Sequence, residues 1–249
     1  MQILNGKETS EKILSLLKCE IDSMQGVKPC LSVILIGNNP ASAVYVKNKA
    51  KACEKIGVEY KEYAFDNDVN EEEIYNRIEE INNDPQIHGL IVQLPVPKHI
   101  SVPKILKHID PKKDVDGFTA YNIGKMIASK DFEDLPPATP AGIIRLLDEY
   151  DINVAGMNAV VIGRSNIVGK PIANMLTNRS ATVSVCHSQT KDISYYTKNA
   201  DLIIAAVGIP KFLKSHMVKD GVIIVDVGIN RLEDGSLCGD IDFENIKDR

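Results

Sequence analysis

Four lysines lie on one predicted helix, and one of them has an unusual position. The stretch PASAVYVKNKAKACEKIG, residues 40–57, advances about 100° per residue, which puts Lys47, Lys51 and Lys55 on a common polar face. Lys49 falls on the opposite, more apolar face, which should turn towards the rest of the protein. Its neighbours on that face are Ser42, Tyr45, Ala52, Cys53 and Ile56.

A lysine on this face must be paired, be exposed at the rim of a cleft, or have a functional role. A free lysine titrates at about 10.4, so its pKa must be lowered by desolvation or by a nearby cation before it can exchange protons near neutrality. The apolar face supplies the desolvation. A structural role for Lys49, as a paired or rim-exposed side chain, is the alternative.

A second candidate site follows an apolar strand in the C-terminal half. VVIGRSNIVGKP, residues 160–171, passes through Gly163 and Gly169 into a predicted helix, so that backbone N–H groups and the helix dipole are available to a phosphate. The two glycines are six residues apart, which departs from the G-x-G-x-x-G fingerprint. A plain strand-to-helix turn is therefore the alternative.

The next predicted strand bears on the choice of nucleotide. NAD-binding units usually carry a carboxylate near the end of their second strand for the ribose hydroxyls, but here that strand ends CHSQT without an acid. Arg164 and Ser188 would instead donate hydrogen bonds to a phosphate group on the ribose, which favours NADP over NAD. His187, in the same stretch, is as consistent with a structural polar residue as with a ligand contact.

Composition excludes several classes of function. The 249 residues are 44% hydrophobic and 25% charged, with a net charge of −5 and no long basic run, so a small-molecule ligand is expected and nucleic acid is not. Five scattered cysteines form no C-x-x-C pair, and the histidines form no ligand cluster, which indicates reduced thiols and no metal site. The opening MQILNGKETSEKILSLL has neither a signal peptide's pattern nor a membrane span, so we expect a cytoplasmic protein.

The elements that must position these residues form two α/β units. The first half alternates helix and strand as β-α-β-α-β after an opening helix, which favours a parallel sheet with right-handed crossovers. Prolines are dense between about 95 and 140, and the strand–helix pattern restarts after them. We therefore expect a catalytic domain over 1–138, a Rossmann-type domain over 139–249, and a cleft between them for the ligands.

Six motifs occur together in this order: ASAVYVKNKAKACEKIG, HGLIVQLPVP, PKKDVDGF, GRSNIVGKP, CHS and VDVGIN. In combination they closely resemble the methylenetetrahydrofolate dehydrogenase/methenyltetrahydrofolate cyclohydrolase family of the FolD type. The resemblance implies a cytosolic, usually homodimeric enzyme with a folate-binding catalytic domain and an NADP-binding domain. It also implies two activities: NADP-dependent oxidation of 5,10-methylenetetrahydrofolate to the methenyl cation, and hydrolysis of that cation to 10-formyltetrahydrofolate.

The resemblance carries the family's catalytic and substrate-binding residues onto this chain. The Y-x-x-x-K motif falls on Tyr45 and Lys49, the Q-L-P glutamine on Gln93, and the D-V-D-G aspartate on Asp116. Ser42 matches a position that lines the family's site. By this match, Lys49 moves protons with Tyr45 and Gln93 beside it, and Asp116 accepts from the donor edge of the pterin.

The nucleotide contacts implied by the resemblance fall in the second half. They are Gly163, Arg164, Ser165 and Ser188, with Ile229 of VDVGIN near the nicotinamide. Asp114, close to the pterin aspartate in sequence, is expected to brace its loop instead.

The chain departs from the family at its end. The family continues into a P-G-G-V-G-P-M-T loop and a helix that returns to the catalytic domain, whereas this sequence ends CGDIDFENIKDR. We expect weaker positioning of folate and nicotinamide if that segment is missing. Ala138 stands where relatives often carry a cysteine, with little expected consequence.

Three alternatives stay open at this point. One is a monofunctional methylenetetrahydrofolate dehydrogenase using NAD, against which the retention of Lys49 argues. Another is a non-catalytic protein that binds folate or nucleotide. The last is an unrelated two-domain amino-acid or hydroxy-acid dehydrogenase, for which the cleft would need a histidine or a Lys/Asp pair.

Overall fold

A computed structural model describes residues 2–247. The chain divides into two compact units: the first spans Asn5–Ile123, and the second comprises the chain from Gly124 onward together with the residues up to Leu4. The domain boundary expected between 138 and 139 stays a prediction.

The first unit is a three-stranded parallel sheet with helices, in the strand order β2-β1-β3. Its elements are α1 (Gly6–Ser23), β1 (Cys30–Ile36), α2 (Pro40–Ile56), β2 (Glu59–Phe65), α3 (Glu71–Asn83), β3 (Gly89–Val92), α4 (Val102–His108) and the start of α5 (Ala120–Ala128). The central strand β1 is almost wholly buried, as its continuous apolar sequence predicts.

Local sequence sets both ends of α2, the helix that carries Lys49. The side chain of Asn39 caps its start by accepting hydrogen bonds from the backbone N–H groups of Ala41 and Ser42, and Pro40 occupies the first turn. Gly57 ends the helix in the left-handed conformation, with φ 82°, which glycine adopts without strain. The position of Lys49 along the chain is therefore fixed by capping residues on either side.

The second unit is a four-stranded parallel sheet in the order β5-β4-β6-β7, with a two-stranded antiparallel ribbon, β8-β9. Its elements after α5 are α6 (Ala138–Glu149), β4 (Asn158–Ile162), α7 (Gly169–Thr177), β5 (Thr182–Cys186), α8 (Ile193–Thr197), β6 (Leu202–Ala205), β7 (Ile223–Asp226), β8 (Asn230–Arg231), β9 (Leu237–Cys238) and α9 (Phe243–Ile246). Short 3₁₀ turns occupy Lys130–Phe132 and Ser215–Met217. The parallel sheets confirm the predicted α/β class.

The proline-dense stretch is more regular than its composition suggested. Its dense prolines indicate a junction between two units, but it also holds the helices α4 and α5. Pro103 lies in the first turn of α4, where a missing N–H has no helical partner to lose, so it does not prevent the helix. The ribbon β8-β9 was also not predicted, because each of its strands is two residues long.

Candidate active site

The structure brings Lys49 and Gln93 into direct contact. Lys49 lies on α2, and its Nζ donates a hydrogen bond to Oε1 of Gln93 at 2.9 Å. Gln93 follows the end of β3, where its backbone N–H donates to the carbonyl of Ile34 and its side-chain Nε2 donates to the carbonyl of Leu94. The glutamine is thus held from both sides with its amide oxygen towards the lysine.

Burial changes the protonation of Lys49 and of the nearby Asp116. Both side chains are partly buried. Desolvation lowers the pKa of Lys49, and the Asp116 carboxylate opposes this by raising it. Desolvation in turn raises the pKa of Asp116, while the charge of Lys49 lowers it. Lys49 is thus hydrogen-bonded to Gln93 and electrostatically coupled to Asp116, and these three residues are hereafter the Lys49 cluster.

Asp114 braces the loop that carries Asp116. Its side chain is 1% exposed, and its carboxylate accepts hydrogen bonds from the backbone N–H groups of Phe118 and Thr119 and from the side chain of Asn122. This confirms the bracing role predicted for Asp114. Asp114 is buried and its carboxylate is already bonded to three donors of its own segment, so Asp116 is the acid of this pair that is more available to a ligand.

Ser42 and Tyr45 differ in their surroundings although they share α2. Ser42 is 1% exposed, and within residues 2–247 its Oγ has no hydrogen-bond partner. Tyr45 is 48% exposed, and the role predicted for it beside Lys49 stays a prediction. It lies one turn before Lys49, on the same side of α2.

Two glycines of the second unit permit a close strand-to-helix turn. A Cβ on Gly163, whose φ is 126°, would lie 2.2 Å from the carbonyl oxygen of Ala206. A Cβ on Gly169 would lie 2.2 Å from the carbonyl oxygen of Gly163. Ser165 closes the turn, since its Oγ accepts from the backbone N–H groups of Val168 and Gly169. Only glycine fits at both positions, which favours a phosphate-binding turn over a plain strand-to-helix turn.

Strand register places Arg164 and Ser188 at the same edge of the sheet. β4 and β5 are parallel neighbours, and Ile162 pairs with Cys186 at their carboxyl ends. Arg164 and Ser188 each follow that last pair by two residues, and both are exposed. The carboxyl edge of a parallel sheet is where nucleotides bind in such folds. Ile229, 65% exposed, follows β7 at the same edge.

Two aspartates that the sequence analysis did not single out organise this edge. Asp226 ends β7 and accepts from the backbone N–H groups of Asp240 and Ile241, while burial raises its pKa. Asp240, 0% exposed, accepts from backbone N–H groups of the loop after β6. The sequence did contain a sign of the role of Asp226. It ends the apolar strand IIVD, and an acid that is buried at such a position needs hydrogen-bond donors.

The part of the chain that the structure describes contains neither a membrane-spanning helix nor a group of metal-binding side chains. Across residues 2–247, no helix combines the length and apolar character that crossing a bilayer requires. Over the same residues, no three histidine, cysteine or acidic side chains are grouped so that they could hold a metal ion.

Comparison with known proteins places both units. Residues 4–116 match the family described as tetrahydrofolate dehydrogenase/cyclohydrolase, catalytic domain. Residues 137–249 match the family described as tetrahydrofolate dehydrogenase/cyclohydrolase, NAD(P)-binding domain. The second match assigns a nicotinamide nucleotide to the unit that holds Gly163 and Gly169.

Individual relatives agree over nearly the whole chain. The bifunctional protein FolD of Campylobacter concisus is 51% identical over 248 residues, which cover 99% of this chain and 87% of that protein. The crystal structure of the bifunctional FolD of Campylobacter jejuni superposes with a TM-score of 0.97 at 49% identity, covering 100% and 88% of the two chains. The Trypanosoma brucei FolD complexed with NADP and an inhibitor has a TM-score of 0.94 at 29% identity, covering 98% and 86%.

Proposed function

The chain belongs to the tetrahydrofolate dehydrogenase/cyclohydrolase family, and on that premise we propose that it is a bifunctional folate one-carbon enzyme. It oxidises 5,10-methylenetetrahydrofolate to the 5,10-methenyl cation and hydrolyses the cation to 10-formyltetrahydrofolate. The observation that carries the second activity is the 2.9 Å hydrogen bond between Lys49 and Gln93, with the pKa of Lys49 lowered by burial.

Hydrolysis needs a group that moves protons at the one-carbon bridge. We propose that the unprotonated Nζ of Lys49 takes a proton from the attacking water as the new carbon–oxygen bond forms. The hydroxyl proton then passes to N5 as the N5–carbon bond breaks, so that one proton is released per turnover. Gln93 holds Nζ in place for this transfer, and the cationic substrate lowers the pKa of Lys49 further.

The remaining residues of the first unit bind the folate. Asp116 accepts hydrogen bonds from the amino group and ring nitrogen of the pterin. Tyr45 is exposed and aromatic, which suits stacking on a flat ring. Ser42, whose buried hydroxyl lacks a partner within the described chain, contributes to the wall of the same site.

Residues of the second unit hold the nucleotide. The close turn at Gly163 and Gly169 lets the backbone approach phosphate groups, and Ser165 lies within that turn. Ile229 lies near the nicotinamide. When bound, the nicotinamide accepts the hydride that leaves the methylene carbon, so the residues around it contribute positioning more than acid–base chemistry.

The preferred nucleotide is NADP. Arg164 and Ser188 lie at the same edge of the sheet, and the stretch 186–190 contains no acid to repel a ribose phosphate. The T. brucei relative is complexed with NADP, which supports the same choice. We also propose that the enzyme is a cytoplasmic homodimer, as the resemblance to the family implies; sedimentation of the purified chain would report the dimer.

One assay tests both activities. The chain is supplied with 5,10-methylenetetrahydrofolate and either NADP or NAD, while nicotinamide reduction and methenyl accumulation are followed together. We expect reduction with only transient methenyl, and faster with NADP. Lasting methenyl would indicate a dehydrogenase alone, and no reduction with either nucleotide would contradict the proposed function.

A further inference from the structure

We propose that Asp240 is a positioning residue for the oxidation, because it holds the nucleotide-facing loops that follow β6 and β7. This inference rests on the proposed function. It extends that function to a residue that is not among those proposed to touch the substrate or the nucleotide. Asp240 lies in the segment between β9 and α9, far along the chain from the loops that it organises.

The carboxylate of Asp240 is fully used by these two loops. Its Oδ2 accepts from the backbone N–H groups of Val207 at 2.6 Å and Gly208 at 3.0 Å. Its Oδ1 accepts from the backbone N–H of Ile209 at 3.0 Å and from Nδ2 of Asn230 at 2.9 Å. Three successive backbone donors and one amide therefore converge on a side chain that is 0% exposed.

Asp240 is itself fixed by the strand next to β6. Its backbone N–H donates to Oδ1 of Asp226, the last residue of β7, at 2.9 Å. Gly228 and Gly239 flank this arrangement, and a Cβ on either would come within about 2 Å of a carboxylate oxygen, at 2.0 Å from Asp240 and 1.7 Å from Asp226 respectively. The carboxylates thus have one position available to them.

Both loops held by Asp240 adjoin the proposed nucleotide site. Residues 207–209 directly follow Ala206, whose carbonyl lies against Gly163 of the phosphate-binding turn. Asn230 directly follows Ile229, the residue proposed to lie near the nicotinamide. A single buried carboxylate therefore links the two backbone segments that shape the site, although it comes from a third segment.

The test is Asp240→Asn, which keeps the size of the side chain but replaces one acceptor oxygen by a donor. Two of the four donors then face an amide N–H₂ group. We expect kcat/KM for NADP in the oxidation to fall about 10-fold or more, and the Kd for NADP, measured by fluorescence titration without folate, to rise by a similar factor. Cyclohydrolase activity, started from the methenyl compound without nucleotide, should stay within about twofold.

Asp234→Asn is the matched control, because Asp234 is an exposed acid in the β8-β9 turn whose carboxylate accepts from the backbone N–H and the hydroxyl of Ser236. It should leave both activities and the NADP Kd unchanged. An equal loss of both activities in Asp240→Asn would overturn the proposal, since it would show a merely structural role. An unchanged Kd and kcat/KM would overturn it too. A wild-type chain that binds NADP but turns over neither folate would contradict the proposed function, while the comparison of Kd values would still decide the role of Asp240.

Discussion

At the scale of single residues, the pKa of a lysine on α2 depends on the face of the helix that carries it. Lys47 and Lys49 are two positions apart on α2, yet Lys47 is exposed whereas Lys49 is partly buried and bonded to Gln93. Desolvation lowers the pKa of Lys49, and Asp116 limits that decrease. The helix face on which a lysine lies therefore says more about its capacity for proton transfer than its residue type does.

Replacing the two lysines separately tests this difference. Lys49→Ala should reduce cyclohydrolase activity by about 100-fold or more, because the proton acceptor is removed. Lys47→Ala should stay within about twofold of wild type, since the side chain lies on the solvent face. The measurement is decay of the methenyl compound, corrected for its uncatalysed hydrolysis. Similar losses in the two variants would refute the assignment of the helix faces.

The pH dependence of the hydrolysis reports the coupling to Asp116. If neutral Lys49 accepts the proton, the rate rises with pH through the pKa of Lys49, which lies below the ordinary value of 10.5. The carboxylate of Asp116 raises that pKa, so Asp116→Asn should move the inflection of kcat further towards acid. Glu54→Gln, on the exposed face of α2, should not move it. A shift towards alkaline pH in Asp116→Asn would contradict the coupling.

At the scale of elements, tight turns place the ends of helices and strands. α2 begins at a capping asparagine and ends at a glycine, and both are read from the local sequence. The turn from β4 to α7 depends on contacts between backbone segments that a Cβ would block. This turn belongs to the second unit, so damage to it should affect the nucleotide and spare the Lys49 cluster.

Gly169→Ala tests the role of that turn. Its Cβ would meet the carbonyl of Gly163 at 2.2 Å, so the backbone must shift away from the phosphate-binding arrangement. We expect oxidation to fall about 10-fold or more while hydrolysis of the methenyl compound stays near wild type. Gly142→Ala, in α6 with open space around the added methyl group, should leave both rates unchanged. Retention of full oxidation in Gly169→Ala would contradict the argument.

At the scale of the whole molecule, the residues proposed for proton transfer and those proposed for nucleotide binding lie in different units. The first unit carries the Lys49 cluster, and the second carries the glycine turn, Arg164 and the Asp226–Asp240 arrangement. The main sheet of each unit is parallel; Gln93 follows the carboxyl end of β3, and Arg164 and Ser188 follow the carboxyl ends of β4 and β5. Loss of one activity by substitution should therefore be separable from loss of the other.

Thermal stability with each nucleotide tests the preference of the second unit. A ligand at 100 times its Kd stabilises the folded state by about 2.7 kcal/mol, which corresponds to a rise in Tm of roughly 5–10 °C for a chain of this size. We expect a larger rise with NADP than with NAD at equal concentration. Arg164→Ala should bring the NADP shift down towards the NAD shift. A larger shift with NAD in the wild type would contradict the preference for NADP.

The amino-acid sequence was enough to predict the α/β class, the order of the main helices and strands and the distinct position of Lys49. These depend on periodicity and on capping residues within short windows, where one residue's neighbours along the chain are also its neighbours in space. The sequence does not predict helix α4, because composition alone does not distinguish a proline in the first turn of a helix from a proline that ends one.

Only the tertiary structure decided the contacts that join distant segments. The bond from Lys49 to Gln93 spans 44 residues, and the bond from Val207 to Asp240 spans 33. The 48% exposure of Tyr45 depends on tertiary packing, which the periodicity of α2 does not encode. Asp240 looked like an ordinary loop acid in the sequence. Burial and four converging donors, supplied by segments far away in the chain, give it its place in the site.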